Sequence, residues 1–455
     1  MKNILKELKL FIILWITQSF STLGSAMTNF ALVIWVYQGS GSALTTAMLT
    51  ICSYAPYILL SIFAGAISDK WNKKAIMLVC DSFAALCTVV VFAMLKTGNL
   101  QVWHLYILNA FNGLMNTIQQ PASDVAITLL TPEKYYQKTS GMRSFSNSLV
   151  TILTPVFATT VVAFAGIEAV IAFDLITFSA AFLSLFFLIH LPKSSDIKEK
   201  STKERHAENS LQMVKEKGKA KDKLETVKET VEKESILQSV KDGIYYLKAN
   251  QEILWLMLFL AAINFVASVY EAALPAMILS KENEKVLGVV NTCVGAATLA
   301  GSIIVTLLPA PKSRVKVICN CLLFSMSTEN FMLAFGKSPV IWCVGAVCGW
   351  LFIPVMNANL DVIFRTKIPA YMQGRVYSVR NTLQFFTIPL GYFCGGLLVD
   401  QIFEPLMEKS GNEFLTALFG SGKGAGAAFL FFVAGIAGVA VCLSFRKVKC
   451  IREMM

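Results

Sequence analysis

Twelve apolar stretches run through this chain, each long enough to cross about 30 Å of hydrocarbon as a helix. They fall at 10–37, 43–67, 75–96, 102–123, 143–166 and 168–191, then at 253–279, 285–309, 315–335, 338–363, 376–400 and 424–446. Inside a bilayer no water is available to backbone N–H and C=O groups, so such stretches must bond internally as helices. The expected fold class is therefore all-α and integral to the membrane, with twelve transmembrane helices. Composition supports this: 55 % of residues are hydrophobic and 15 % charged, where a soluble domain carries about 25 % charged residues. An ordinary soluble enzyme is excluded.

Charge placement orients the chain. The formal net charge of +11 could mark a nucleic-acid binder, but the bases sit in short gaps between apolar runs. With the N-terminus in the cytoplasm, 34 of the 40 Lys and Arg fall on the inner side and 6 on the outer. Lys and Arg concentrate in cytoplasmic loops, so both termini are expected inside, in a multi-pass protein of the plasma (inner) membrane with no nucleic-acid partner. Lys2, Lys6 and Lys9 precede the first run like a secretion signal. That run reaches Tyr37, beyond the roughly 7–15 residues of a signal core, so it reads as a retained span.

The eleven cysteines include Cys52, Cys80, Cys87, Cys293, Cys343, Cys348, Cys394 and Cys442 within apolar runs, with no Cys-x-x-Cys and no clustered His. They read as small buried hydrophobes rather than as a disulfide framework or metal site. No Gly-Lys-Ser/Thr phosphate loop is present, so nucleotide-driven transport is not encoded and no cofactor is expected.

Composition breaks at 193–250, which holds 14 basic and 11 acidic residues. This divides the chain into an N-terminal half (1–192), a charged cytoplasmic linker (193–250) and a C-terminal half (251–455). The first part of the linker cannot bury enough apolar surface to offset its ordering entropy. Its end differs, because Ile236, Val240, Ile244 and Leu247 recur at helical spacing beside Lys241 and Lys248. That pattern predicts an amphipathic helix on the inner membrane face.

The halves repeat each other. Ser144-x-x-Asn147-Ser148-Leu149 precedes Pro155 as Ser378-x-x-Asn381-Thr382-Leu383 precedes Pro389, and Asp124-Val125 precedes Pro132 as Asp361-Val362 precedes Pro369. Both matches lie at the junction of the fourth and fifth spans of each half. Parallel six-span repeats about an axis along the membrane normal describe transporters of the major facilitator superfamily.

The loop between the second and third spans, Gly65-Ala66-Ile67-Ser68-Asp69-Lys70-Trp71-Asn72-Lys73-Lys74, resembles that superfamily's signature Gly-x-x-x-Asp-(Arg/Lys)-x-Gly-(Arg/Lys)-(Arg/Lys). Asn72 replaces the second glycine, and Asn tolerates a left-handed backbone. The resemblance implies gating roles for Gly65, Asp69, Lys70, Lys73 and Lys74, with Asp69 meeting the start of the eleventh span when the inner gate is shut. A degenerate second copy, Pro309 to Lys316, keeps Lys312 and Arg314 without an acid. Phe30-Ala31-Leu32 with Trp35-Val36-Tyr37-Gln38, Gly243-Ile244-Tyr245-Tyr246-Leu247, and Gly374-Arg375-Val376 with Asn381 look like the macrolide-efflux and enterobactin-exporter branch. That branch implies export of amphipathic compounds against proton entry. Drug/proton antiporters often carry a Gly-Pro-x-x-x-Gly type motif in the fifth span, whereas here Thr154-Pro155 is followed by Val156-Phe157-Ala158.

Polar side chains in a span turn toward protein or a wet cavity. The first span shows Gln18, Ser21, Thr22, Ser25 and Asn29 at helical spacing; the fourth shows Asn109, Asn112, Asn116 and Gln119; the seventh Asn264, Ser268 and Glu271; the tenth ends in Asn357 and Asn359. Helix-to-helix bonding competes as an explanation for the hydroxyls, at about 0.6 kcal/mol per contact. Each amide has four bonding sites, which a wet cavity supplies most easily. Gln18, Ser25, Asn29, Asn109, Asn112, Asn116, Asn264, Ser268, Tyr270 and Asn357 are the expected substrate-binding residues. Trp35, Phe111, Phe265, Trp350 and Phe385 would suit a hydrophobic ligand, and Trp103 and Trp342 read as interfacial anchors.

Four acids lie within spans, and each needs a partner, water or a bound proton. Glu271 is the first expectation for proton coupling because it ends a polar stripe beside Tyr270. Glu329 and Asp81 follow, although pairing near Lys70 to Lys74 or with Arg143 is the leading expectation for Asp81; Asp174 reads as structural. The expected partners are thus a small-molecule substrate, protons and the bilayer, around a monomer. Export of amphipathic small molecules leads; uptake of a polar nutrient such as a nucleoside, and a non-transporting sensor or scaffold, are the alternatives.

Overall fold

The computed structural model of the chain describes residues 7–132, 135–189, 236–309, 311–368, 376, 379–380, 382–410 and 413–454. The side chains of 61–70, 136–138, 140, 236–242, 306, 365, 410, 450, 453 and 454 lie outside that description. So do Ser378 and Asn381 of the repeat, Gly374 and Arg375, most of the linker, and the signature side chains of Gly65, Asp69 and Lys70.

The described residues are mostly helical, with no strand among them. In the N-terminal half, α1 (Lys9–Ser40), α2 (Ala43–Lys70), α3 (Lys73–Lys96) and α4 (Val102–Leu130) precede one long stretch, Tyr136–Leu183. That stretch is broken at Gly166, where φ is 78° and ψ 173°. Only glycine adopts such a backbone at low cost, and the break separates α5 (136–165) from α6 (167–183). The expected boundary between the fifth and sixth spans thus falls on Gly166.

In the C-terminal half, α7 (Ile236–Ala249) leads into α8 (Gln251–Lys281), α9 (Glu284–Leu307), α10 (Arg314–Phe335), α11 (Pro339–Trp350) and α12 (Ile353–Lys367). Then come α13 (Thr387–Leu397), a π turn Leu398–Phe403, α14 (Glu404–Ser410), α15 (Glu413–Phe419), α16 (Ala425–Lys447) and α17 (Lys449–Met454). The expected amphipathic helix is α7. The expected tenth span divides at Leu351 and Phe352 into α11 and α12, with Pro354 in the first turn of α12.

Ten stretches among the described residues are long and apolar enough to cross a membrane. One of them, Gly141–Leu188, spans the Gly166 break, and the sequence count assigns two spans to it. Val102–Leu130, 29 residues long, is outside the ten because its amide stripe lowers its hydropathy.

Each half packs on itself. α1 lies along α5 and α6, and α2 along α4; across the molecule α8 packs on α13 and α16, and α10 on α16. One large apolar core fills the C-terminal half, built on α8, α10 and α16. Three smaller clusters serve the N-terminal half. The halves meet through α2 on α13 and α5 on α9.

The signature loop corrects one expectation. Asn72 is not left-handed: with φ −65° and ψ 120° it is the N-cap of α3 and accepts from Lys74 N and Ala75 N. Asn is a preferred cap for this reason. The Lys74 ammonium donates to the Phe186 and Ile189 carbonyls at 2.9 and 2.8 Å, tying α3 to the end of the sixth span. Lys73 is buried and donates to the Trp71 carbonyl. Trp342 is also corrected, since it is 2 % exposed and donates to the Gly336 carbonyl at 2.9 Å rather than anchoring at a surface. Trp103 is 53 % exposed, which an anchor at an interface requires.

Candidate functional site

Two cavities hold most of the polar residues singled out above. The larger, of about 540 Å³, lies wholly within the N-terminal half. Gln18, Ser25 and Asn29 of α1 face it from one side, and Asn109, Asn112 and Asn116 of α4 from the other. The periodic amides of both helices therefore share one chamber. Asn112 Oδ1 is buried with no partner among the described residues.

Asp81 of α3 lines the same chamber. It accepts from Gln119 Nε2 at 2.5 Å and from Gln18 Nε2 at 3.4 Å, so its expected cationic partners are replaced by two amides. Arg143 instead forms an ion pair with Asp124 at 2.7 Å. Asp174, expected to be merely structural, is 4 % exposed, lines the chamber and accepts from Ser25 Oγ at 2.9 Å.

The second cavity, of about 320 Å³, lies between the halves. Phe30 and Val33 of α1 and Thr46 and Thr50 of α2 form one wall. Tyr270 and Glu271 of α8, Asn291 of α9, Glu329 of α10, Trp350 of α11 and Tyr392 of α13 form the other. Both acids are held by aromatic donors. Tyr392 Oη donates to Glu271 Oε2 at 2.7 Å. Trp350 Nε1 donates to Glu329 Oε1 at 3.1 Å, and Tyr270 Oη lies 3.4 Å from the same oxygen. Among the described residues no Lys, Arg or His lines this cavity, so the carboxylates meet no described cation there.

Glycine makes room for one of them. A Cβ on Gly349 would collide with the Glu329 carboxylate, so α10 and α11 approach closely enough for Trp350 to reach the acid.

Three expected site residues stand elsewhere. Asn264 donates to the Gln384 carbonyl at 3.1 Å, and neither it nor Ser268 lines a described cavity. Ser268 is buried where α13 presses Gly391 against α8. That polar face meets a packed helix, and Asn264 is satisfied there by the Gln384 carbonyl. Asn357 is exposed; its neighbour Asn359 is buried and accepts from Arg314 at 3.1 Å. Sequence reasoning passed over Tyr392, Thr46, Thr50 and Asn291. Tyr392 carries no local signal, because its partner is 121 residues away.

Paired helical halves around polar cavities, on helices of membrane-crossing length, define a multi-pass membrane protein built to admit small molecules. Its family follows from comparison: the Major Facilitator Superfamily model matches residues 14–392, and the chain belongs to that superfamily. It is 21 % identical over 401 residues to macrolide efflux protein A of Streptococcus pyogenes, covering 86 % of this chain and 90 % of that one. It is 22 % identical over 414 residues to the uncharacterized MFS-type transporter YfiS of Bacillus subtilis (strain 168), covering 88 % and 89 %.

Among solved structures, an inward-facing bacterial homologue of the iron transporter ferroportin superposes with TM-score 0.63 at 14 % identity, covering 97 % of this chain and 98 % of that one. A mutant of the nucleoside transporter NupG gives 0.60 at 12 % identity, covering 96 % and 98 %. The protein is therefore a transporter and not an enzyme.

Proposed function

We propose that the protein exports amphipathic small molecules, of the macrolide or related metabolite type, by alternating access in exchange for protons. The observation that carries this reading is the pair Glu271 and Glu329 in the cavity between the halves. An unpaired charge in hydrocarbon costs at least about 2.5–3.5 kcal/mol, so carboxylates without a cation are suited to binding either a proton or a cationic group of the substrate. Exchange follows if the two compete for the same acid. Apolar and aromatic walls at Phe30, Tyr270 and Trp350 suit the hydrophobic part of such a molecule. Export as the direction is supported by the relatives named macrolide efflux protein A.

In this reading Gln18, Ser25, Asn29, Asn109, Asn112 and Asn116 bind the polar part of the substrate in the larger chamber. Asp81 is a secondary proton site, and the loop from Gly65 through Asp69 to Lys74 acts in gating. The protein works as a monomer in the plasma membrane with both termini inside. Efflux measured in cells expressing wild type and Glu271→Gln, with and without a protonophore, tests it.

Uptake of a nucleoside-like nutrient is the second reading. The chamber dominated by amides and hydroxyls supports it, as does the fold shared with a nucleoside transporter. Growth that depends on the nutrient, without drug resistance, would favour it.

A further inference from the structure

We propose that Asp400 latches the gate at the Gly41–Ser42 end of the molecule, by reaching from the C-terminal half to cap the first turn of α2 in the N-terminal half. The carboxylate accepts from Ser42 Oγ at 2.5 Å, from Ala43 N at 3.0 Å and from Leu44 N at 2.9 Å. The first N–H groups of a helix have no partner within it, and a negative charge there is favoured by the helix dipole. Asp400 therefore supplies what the start of α2 lacks, from a residue more than 350 positions away in the sequence.

The neighbouring contacts show the same end drawn together. A Cβ on Gly396 would come within 2.5 Å of Leu44 Cα, so α13 and α2 touch backbone to backbone one turn before the latch. Tyr37 Oη donates to the Ala276 carbonyl at 2.9 Å and pairs with Ser280 Oγ at 2.6 Å, joining α1 to α8 at the same end.

The contrast with Glu404 makes the role specific. In a regular helix residues four apart share a face, but Asp400 lies within the π turn Leu398–Phe403 and Glu404 directly follows it, and the two acids serve different helices. Glu404 accepts from Gly424 N at 2.9 Å and Ala427 N at 3.2 Å, at the start of α16 in its own half. One acid fastens the π-turn segment to its own half, and the other fastens that half to its opposite. A moving boundary between the halves breaks the second and spares the first. When the gate opens, water takes over the Asp400 oxygens and the α2 amides, which makes the latch reversible.

The latch rests on the alternating-access reading, but its test needs no substrate. In full-length protein with all eleven cysteines replaced by serine, a single Thr50→Cys reports access to the cavity between the halves. A membrane-impermeant maleimide is applied from the side of the Gly41–Ser42 turn. Asp400→Ala removes all three bonds and should raise the labelling rate roughly tenfold, taking each bond at the lower end of a hydrogen bond's net worth. Ser42→Ala should raise it several-fold, roughly as loss of one of the three donors implies, and Glu404→Gln should leave it unchanged. Labelling of Asp400→Ala at the background rate would overturn the proposal. So would equal acceleration by Glu404→Gln, because that marks general loosening. Should Asp400→Ala fail to reach the membrane, Ser42→Ala decides by the same criterion.

Discussion

Tyr392 Oη donates to Glu271 Oε2 at 2.7 Å across the contact between α13 and α8. Because a hydrogen bond to a charged group is worth about 1.5–3 kcal/mol, the phenol fixes where the carboxylate points within the cavity. Tyr392→Phe keeps the ring and loses the donor. It is expected to lower the initial export rate about tenfold with membrane abundance unchanged, as read by vesicle flux and immunodetection together.

Gly349 is the counterpart on the other acid. Adding a methyl there places it against the Glu329 carboxylate, and overpacking of this kind costs about 1–3 kcal/mol. Gly349→Ala should lower the unfolding midpoint in detergent and reduce transport, and an unchanged midpoint would show that α10 and α11 have slack.

The two cavities make separable predictions. Asp81 sits among amides of the N-terminal half, bonded to Gln119 and Gln18. Asp81→Asn keeps a hydrogen-bonding group of the same size, so it should raise KM for export while the protonophore still abolishes flux. Loss of protonophore sensitivity in this variant would move proton coupling into the larger chamber.

Lys74 tests the packing of the N-terminal half alone. Its ammonium bonds the carbonyls of Phe186 and Ile189, which the end of a helix leaves unpaired, and a cation there is also favoured by the dipole. Lys74→Ala should destabilise the protein by about 1–2 kcal/mol, measured by thermal unfolding in detergent.

Fold class was legible in the long apolar spans, and the polar stripes that meet in the amide chamber were legible in periodicity within single helices. Gln18 to Asn29 and Asn109 to Asn116 mark one face apiece, and both faces meet the same space. The stripe Asn264, Ser268, Glu271 obeys the same period yet divides, since spacing tells which face is polar and not what covers it. There α13 packs Gly391 against Ser268, and of the three stripe residues Glu271 alone lines the cavity. Partners joined across the chain were not legible: Trp350 on Glu329, Gln119 on Asp81 and Asp400 on Ser42 are set by helix packing. The charges of Asp81 and Arg143 suggested a pair, but Asp81 bonds Gln119 and Gln18 while Arg143 pairs with Asp124.

The most direct test of proton-driven export is flux of a labelled macrolide and of a fluorescent lipophilic cation from cells, with and without a protonophore, in wild type and Glu271→Gln. The proposed mechanism predicts export that the protonophore abolishes in wild type and that Glu271→Gln has already lost. Protonophore-sensitive export that survives Glu271→Gln unchanged would contradict it.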